Sequence, residues 1–189
     1  MKKLLSLILC LMLCLPAAAM AETALWTTDF GTFTMGIAEN DQYQVAPGLT
    51  NNALYAMIYI DYDPYATTHD SITVAWTTDN IASEINLVGG IKEYGKLVLK
   101  NASAQYTSMS IKMTNESVVD AFYDGSTGWI LTSCIMDYTA AGIDLVTPLY
   151  QMQMFFCDVQ GGHYIFTLTG ITYEAISDMT AYIGTLQFK

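Results

Sequence analysis

Along most of this chain apolar and polar residues alternate with a period of two, the spacing of a half-buried β-strand. In ALYAMIYIDY, Leu54, Ala56, Ile58 and Ile60 alternate with Tyr55, Met57, Tyr59 and Asp61, which predicts a strand with one aliphatic and one aromatic face. In SMSIKMT, Met109, Ile111 and Met113 alternate with Ser108, Ser110, Lys112 and Thr114, predicting a second strand buried on one side. GTFTMGIA, SITVAWTT, VVDAFYDG, GWILTSCIMD, YQMQMFFCDV and HYIFTLTG read as further strands, with Gln160-Gly161-Gly162 as a tight hairpin between the last two.

Two segments switch to the helical period. In GIKEYGKLVLKNA, Ile91, Tyr94, Val98 and Ala102 recur at spacings of three and four behind Gly89-Gly90, which ends the preceding segment. In TYEAISDMTAYIGTLQF, Thr172 stands where an N-cap belongs, Glu174 suits the positive end of a helix, and Ile176, Met179, Ile183 and Leu186 form one apolar stripe. A shorter helical turn fits Asn80 to Leu87. The order is strands, a helix, a long antiparallel meander and a closing helix. Helices packed against an antiparallel meander give an α+β fold, not a parallel doubly wound one.

The first 21 residues follow neither pattern. Lys2 and Lys3 precede an apolar run from Leu4 to Leu15, and Ala19-Met20-Ala21 has the small-x-small form of a cleavage site, so residues 1–21 read as a secretory signal peptide of bacterial type. The apolar run is too short for a spanning helix, which needs about 20 residues, and no membrane span is expected downstream. Residues 22–189 are expected to form a single secreted domain, extracellular, or periplasmic where there is an outer membrane. Cys10 and Cys14 would leave with the leader.

So would two of the seven lysines. Five basic residues then face eighteen acidic ones, a formal charge of −13, and the chain has no arginine. Nucleic acid is excluded as a partner by that balance, because phosphates are gripped by clustered Arg and Lys. Solubility after export explains the acidity without any ligand.

The run from Ile72 onward resembles the PsbP-like superfamily, which also holds the Ran-binding Mog-one proteins and many small exported bacterial proteins. ITVAW, GIKEYGKLVL, a meander ending in GGHYIFTLTG, and the helix EAISDMTAYIGTLQF carry the likeness, with Gly162, Tyr164, Phe166, Thr167, Glu174 and Phe188 at its patterned positions. It implies an α/β/α sandwich and an accessory or interaction role, and it brings no catalytic signature or cofactor.

Candidate sites are few, and each has a plainer explanation. Asp61, Asp63 and Asp70 could offer oxygens to a hard cation such as calcium; aspartates beside Pro64 are equally ordinary turn residues. Tyr55, Met57, Tyr59 and Tyr62 are the candidate ligand contacts, set against burial of that strand face beneath a helix. Lys92, Lys96 and Lys100 form one stripe on the first predicted helix, either a solvated face or a contact for an anionic surface such as cell-wall polymer or headgroups. Cys134 and Cys157 lie in two strand-like runs, where an exported chain would permit a disulfide and where free buried thiols are also common.

No G-x-S-x-G or H-E-x-x-H motif is present, and His69 and His163 are far apart. Asp120 and Asp124 would need the fold to pair them for acid–base work. Asn101-Ala-Ser and Asn115-Glu-Ser match the glycosylation pattern by chance. The leading expectation is a non-enzymatic binding or accessory domain. A small secreted hydrolase using carboxylates assembled in the fold, or a self-associating surface protein, are the alternatives.

Overall fold

In the computed structural model, residues 24–66, 68–157 and 161–189 are described. The leader predicted over residues 1–21 and Gln160 of the predicted hairpin lie outside the described residues. The chain clusters into two compact units, a larger one spanning Asn40–Met179 and a smaller one joining the described residues through Glu39 to Thr180–Lys189.

Among the described residues the larger unit holds seven antiparallel strands. In chain order they are β3 (Gln42–Val45), β4 (Ala53–Tyr59), β5 (Ser71–Thr77), β6 (Lys112–Tyr123), β7 (Thr127–Asp137), β8 (Val146–Cys157) and β9 (His163–Gly170); β1 (Trp26–Asp29) and β2 (Phe33–Ile37) belong to the smaller unit. Across the sheet they run β3-β4-β5-β9-β8-β7-β6. The period-two pattern sets the register, since a slip of one residue would turn every apolar side chain to the wrong face. Ile58 lies opposite Ile72, Ile72 opposite Leu168, and Leu168 opposite Met152. Val74 and Phe166 form a parallel row, and Ile58, Ile72, Val74, Phe166 and Leu168 are all wholly buried.

Two helices, α1 (Ile81–Val88) and α2 (Ile91–Ser108), cover the other face toward β6, β7 and β8. Asn80 caps α1 by accepting the Ser83 N–H at 2.9 Å, and Gly89 ends it in the left-handed region at φ 96°. Ile81 and Ile85 pack on Ile130 and Phe155, with Tyr94 of α2 edge-on to Phe155 at 6.1 Å. Burial, with Glu84 beside it, pushes the Tyr94 hydroxyl up to about 12. Farther along α2, Leu99 joins Met113, Cys134 and Met136. Gly95 lets the helix come close, because a Cβ there would stand 2.9 Å from Ile130 Cγ2 and 3.0 Å from Val118 Cγ2.

Two local expectations are corrected. The strand read in SMSIKMT begins only at Lys112, since α2 runs on through Ser108 and half-exposed Met109 is its C-cap. The alternation in β4 breaks at a register shift between Leu54 and Ala56; Tyr55 is the extra residue and is buried, while Leu54 turns outward.

In the smaller unit β1 (Trp26–Asp29), β2 (Phe33–Ile37) and β10 (Gln187–Phe188) pair in the order β1-β2-β10. Phe30 stacks on Phe33 at 4.9 Å, Phe188 meets Phe33 edge-on at 6.4 Å, and Lys189 reaches Asp29 at 2.5 Å. The closing helix α3 (Tyr173–Ile183) begins in the larger unit, where Thr172 Oγ1 accepts the Ala175 N–H as the predicted cap. Its Ile176 and Met179 are buried. The helical pattern read through Phe188 stops at Ile183, and its last residues form β10.

Candidate functional site

The segment between β4 and β5 folds back over the β3–β4 pair. Asp61 adopts a left-handed conformation at φ 46°, its N–H donates to Asp41 Oδ1 at 2.9 Å, and the Tyr62 N–H donates to the Asn40 carbonyl at 3.0 Å. At the far end the Ile60 N–H donates to the Asp70 carbonyl at 2.9 Å. These bonds bring three rings together. Tyr62 stacks on His69 at 5.0 Å and 22°, and Tyr59 lies 5.8 Å from each. Offset and edge contacts of this kind suit aromatic rings and hold them in place.

The cluster lines a recess of about 370 Å³ with Gln42, Tyr43 and Gln44 of the edge strand β3. A second recess of about 270 Å³ shares Gln44 and is lined by Val45, Ala46, Leu54, Tyr55, Ala56 and Met57. The four tyrosine and methionine contacts expected from sequence are thus divided: Tyr59 and Tyr62 line the first recess, Tyr55 and Met57 the second. Tyr55, only 5% exposed, offers little surface to a ligand. Gln42, Tyr43 and Gln44 were missed, because a four-residue exposed strand has too little alternation to register; the QYQV pattern was the available signal.

The three aspartates proposed as cation ligands do not converge. Among the described residues no group of three or more His, Cys, Asp or Glu side chains is placed to hold a metal ion. Asp61 Oδ1 faces Asn40 Nδ2 at 3.4 Å, and Asp63 Oδ1 closes a tight turn by accepting the Tyr65 N–H at 2.9 Å. Asp70 points elsewhere: burial raises its carboxyl above the ordinary range, the Ile171 N–H opposes the rise and Asp178 adds to it. Asp120, at a register shift within β6, and Asp124, in the turn after it, likewise bond to their own neighbours. Asp120 accepts the Ala121 N–H, and Asp124 accepts from Ser126 and Thr127, bonds that hold its carboxyl below the ordinary range.

At the opposite edge of the sheet, Lys92, Lys96 and Lys100 line a groove of about 1000 Å³ between α2 and β6, with Glu93, Ser103, Thr107, Glu116 and Ser117. Lys96 is paired to Glu93 at 2.7 Å, and Glu116 accepts from Ser103 at 3.3 Å. Lys92 and Lys100 form no ion pair among the described residues.

The disulfide that export would permit is not formed. Cys134 and Cys157 are both free, and Leu149, eight residues before Cys157 on β8, lies opposite Cys134. Those eight residues span roughly 26 Å at about 3.3 Å each, several times the Cα separation of a bridge.

An antiparallel sheet with α1 and α2 on one face, and a closing helix leading to a terminal strand, defines the PsbP-like fold expected from the sequence pattern. The chain is similar to the solution structure of cyanobacterial PsbP (CyanoP) from Synechocystis sp. PCC 6803, with a TM-score of 0.55 and 8% identity, over 92% of this chain and 98% of that one. At such identity the likeness is one of fold. No protein-family model matches the chain, and no curated protein matches its sequence. Among the described residues no helix is long and apolar enough to cross a membrane.

Proposed function

We propose that the chain is a non-enzymatic binding or accessory domain, exported by the leader at residues 1–21, that holds a small neutral ring-bearing ligand, such as a sugar unit, in the Tyr59–Tyr62–His69 recess. The observation that carries this reading is three mutually packed rings beside two glutamines on an exposed sheet edge. The volume falls in the range of small-ligand sites, roughly 300–1,000 Å³. Tyrosine combines an apolar face with a hydroxyl, and Gln42 and Gln44 add amide donors and acceptors. Among the described residues the lining holds no carboxylate and no lysine, which suits a neutral ligand better than an ion. Calorimetric titration with a panel of neutral oligosaccharides tests this. Binding by at least one member, weakened about tenfold or more by Tyr62→Ala, is expected on the scale of lost aromatic contacts; heats that Tyr62→Ala leaves unchanged would refute the site.

A second contact rests on the lysine groove. In a chain this acidic, Lys92 and Lys100, which form no ion pair among the described residues, form with the Glu93-paired Lys96 a local attraction for an anionic cell-wall polymer. Retention of the chain on polyglycerol-phosphate beads, lost in the Lys92→Ala/Lys100→Ala double variant and in salt, is the expected result. Equal retention of the variant would remove this contact.

A further inference from the structure

The ends of four neighbouring strands gather polar groups that neither proposed contact uses. Cys157 ends β8 opposite His163, the first residue of β9, and its sulfur lies 3.3 Å from His163 Nε2 and 3.1 Å from the Ser126 carbonyl. Cys157 is exposed, whereas His163 is 9% exposed and its Nδ1 is buried without a partner among the described residues. The Tyr123 hydroxyl is a second buried polar atom without a partner there. Tyr123 lies on the same sheet face, opposite Gly128 of β7. A Cβ on Gly128 would stand 2.6 Å from Tyr123 Cδ2, so only glycine leaves room for that ring. Burial first, and then neighbouring Cys157 and Asp124, push the Tyr123 hydroxyl above its ordinary range.

Orphaned buried polar atoms cost free energy, so two beside one exposed thiol call for an explanation. The direction of the sulfur–imidazole contact depends on the His163 tautomer. If the thiol donates to the Ser126 carbonyl, the sulfur accepts from His163 Nε2–H, and the orphan at Nδ1 is a bare lone pair instead of an unsatisfied N–H donor. The imidazole then keeps a donor on the sulfur after the thiol proton has left.

We propose that Cys157 is a thiol-exchange site whose co-reactant is a small disulfide, with His163 as its positioning residue. The thiol proton passes to solvent, and Sγ forms a bond to one sulfur of the disulfide. The S–S bond of the small molecule breaks, and its second sulfur departs as a thiolate that takes up a proton. Cys157 is oxidised to a mixed disulfide while half of the reagent is reduced to a thiol. Cys134 is the internal control. It is buried among Leu99, Met113 and Met136, and burial pushes its thiol up to about 11.

The test treats the full chain with oxidised glutathione and maps the adducts by peptide mass. The expected result is modification of Cys157 about tenfold or more faster than the same cysteine in the urea-unfolded chain, with Cys134 unmodified until unfolding. His163→Phe should bring Cys157 down to the unfolded rate, and His163→Gln, which keeps an N–H donor, should recover part of the loss. Equal rates in the folded and unfolded wild-type chain would overturn the proposal even where a His163 variant fails to fold. So would earlier modification of Cys134.

Discussion

The two edges of the larger sheet are built in opposite ways. At one edge β3 is four residues long with every residue exposed, so the surface is shaped by the loop folded over it, and that loop delivers Tyr62 and His69. At the other, β6 is twelve residues long, shifts register twice, carries Asn115 in the left-handed region at φ 56°, and lies beside α2. Such bulges twist an open edge and discourage another chain from adding a strand. The contrast shows one sheet separating two chemistries. Aromatic rings and amides gather at the short edge, and lysines, with Glu93 and Glu116 among them, at the long, helix-flanked one.

The largest perturbation should erase the contrast. Phe166, wholly buried on a central strand, supports both edges, so Phe166→Ala is expected to cost about 3–5 kcal/mol and to weaken both sites together in a denaturant melt followed by ligand and polyanion binding. A change confined to one edge should split them. Gly95→Val drives a side chain into Ile130 and Val118, at a cost of about 1–3 kcal/mol, and should alter polyanion retention while leaving the aromatic recess intact. Tyr62→Ala is the mirror test. It removes one stacked partner, worth about 1 kcal/mol, and should weaken recess binding about tenfold or more with the lysine groove unaffected.

The smallest effects are electrostatic. Lys92→Ala with Lys100→Ala should leave the melting temperature nearly unchanged, because exposed charges contribute little and like charges four apart on a helix repel by only about a few tenths of a kcal/mol. Asp70→Asn carries a definite sign. Burial raises the Asp70 carboxyl, so the folded chain holds that proton to higher pH than the unfolded one, and ionised Asp70 lowers stability above its titration range. The variant should therefore melt slightly higher than wild type near neutral pH, with the gain disappearing in acid. A gain that grows on acidification would reverse the assignment.

What could be read in advance was what repeats. Among the described residues, seven of the strands and the two longer helices follow from periods of two and of 3.6, because burial of one face acts at every turn or pleat. Local exceptions were opaque. The bulge at Tyr55 inverts two positions against an otherwise regular alternation, and the strand read in SMSIKMT begins late because α2 keeps its hydrogen bonds through Ser108. The candidate site was half legible. Tyr59 and Tyr62 could be named, but their meeting with His69 depends on Asp41 and Asn40 anchoring the loop, a tertiary arrangement with no sequence period. Cys157 beside His163 depends on strand register, which placed the cysteines apart and the thiol against imidazole.

The most direct measurement is a two-dimensional NMR titration of the isotopically labelled chain with the neutral oligosaccharide that gives the largest calorimetric heat. Shifts confined to Gln42, Tyr43, Gln44, Tyr59, Tyr62 and His69 are the predicted result. Shifts centred instead on the groove of Lys92, Lys96 and Lys100, or spread without a focus, would contradict a ligand site at the short edge of the sheet.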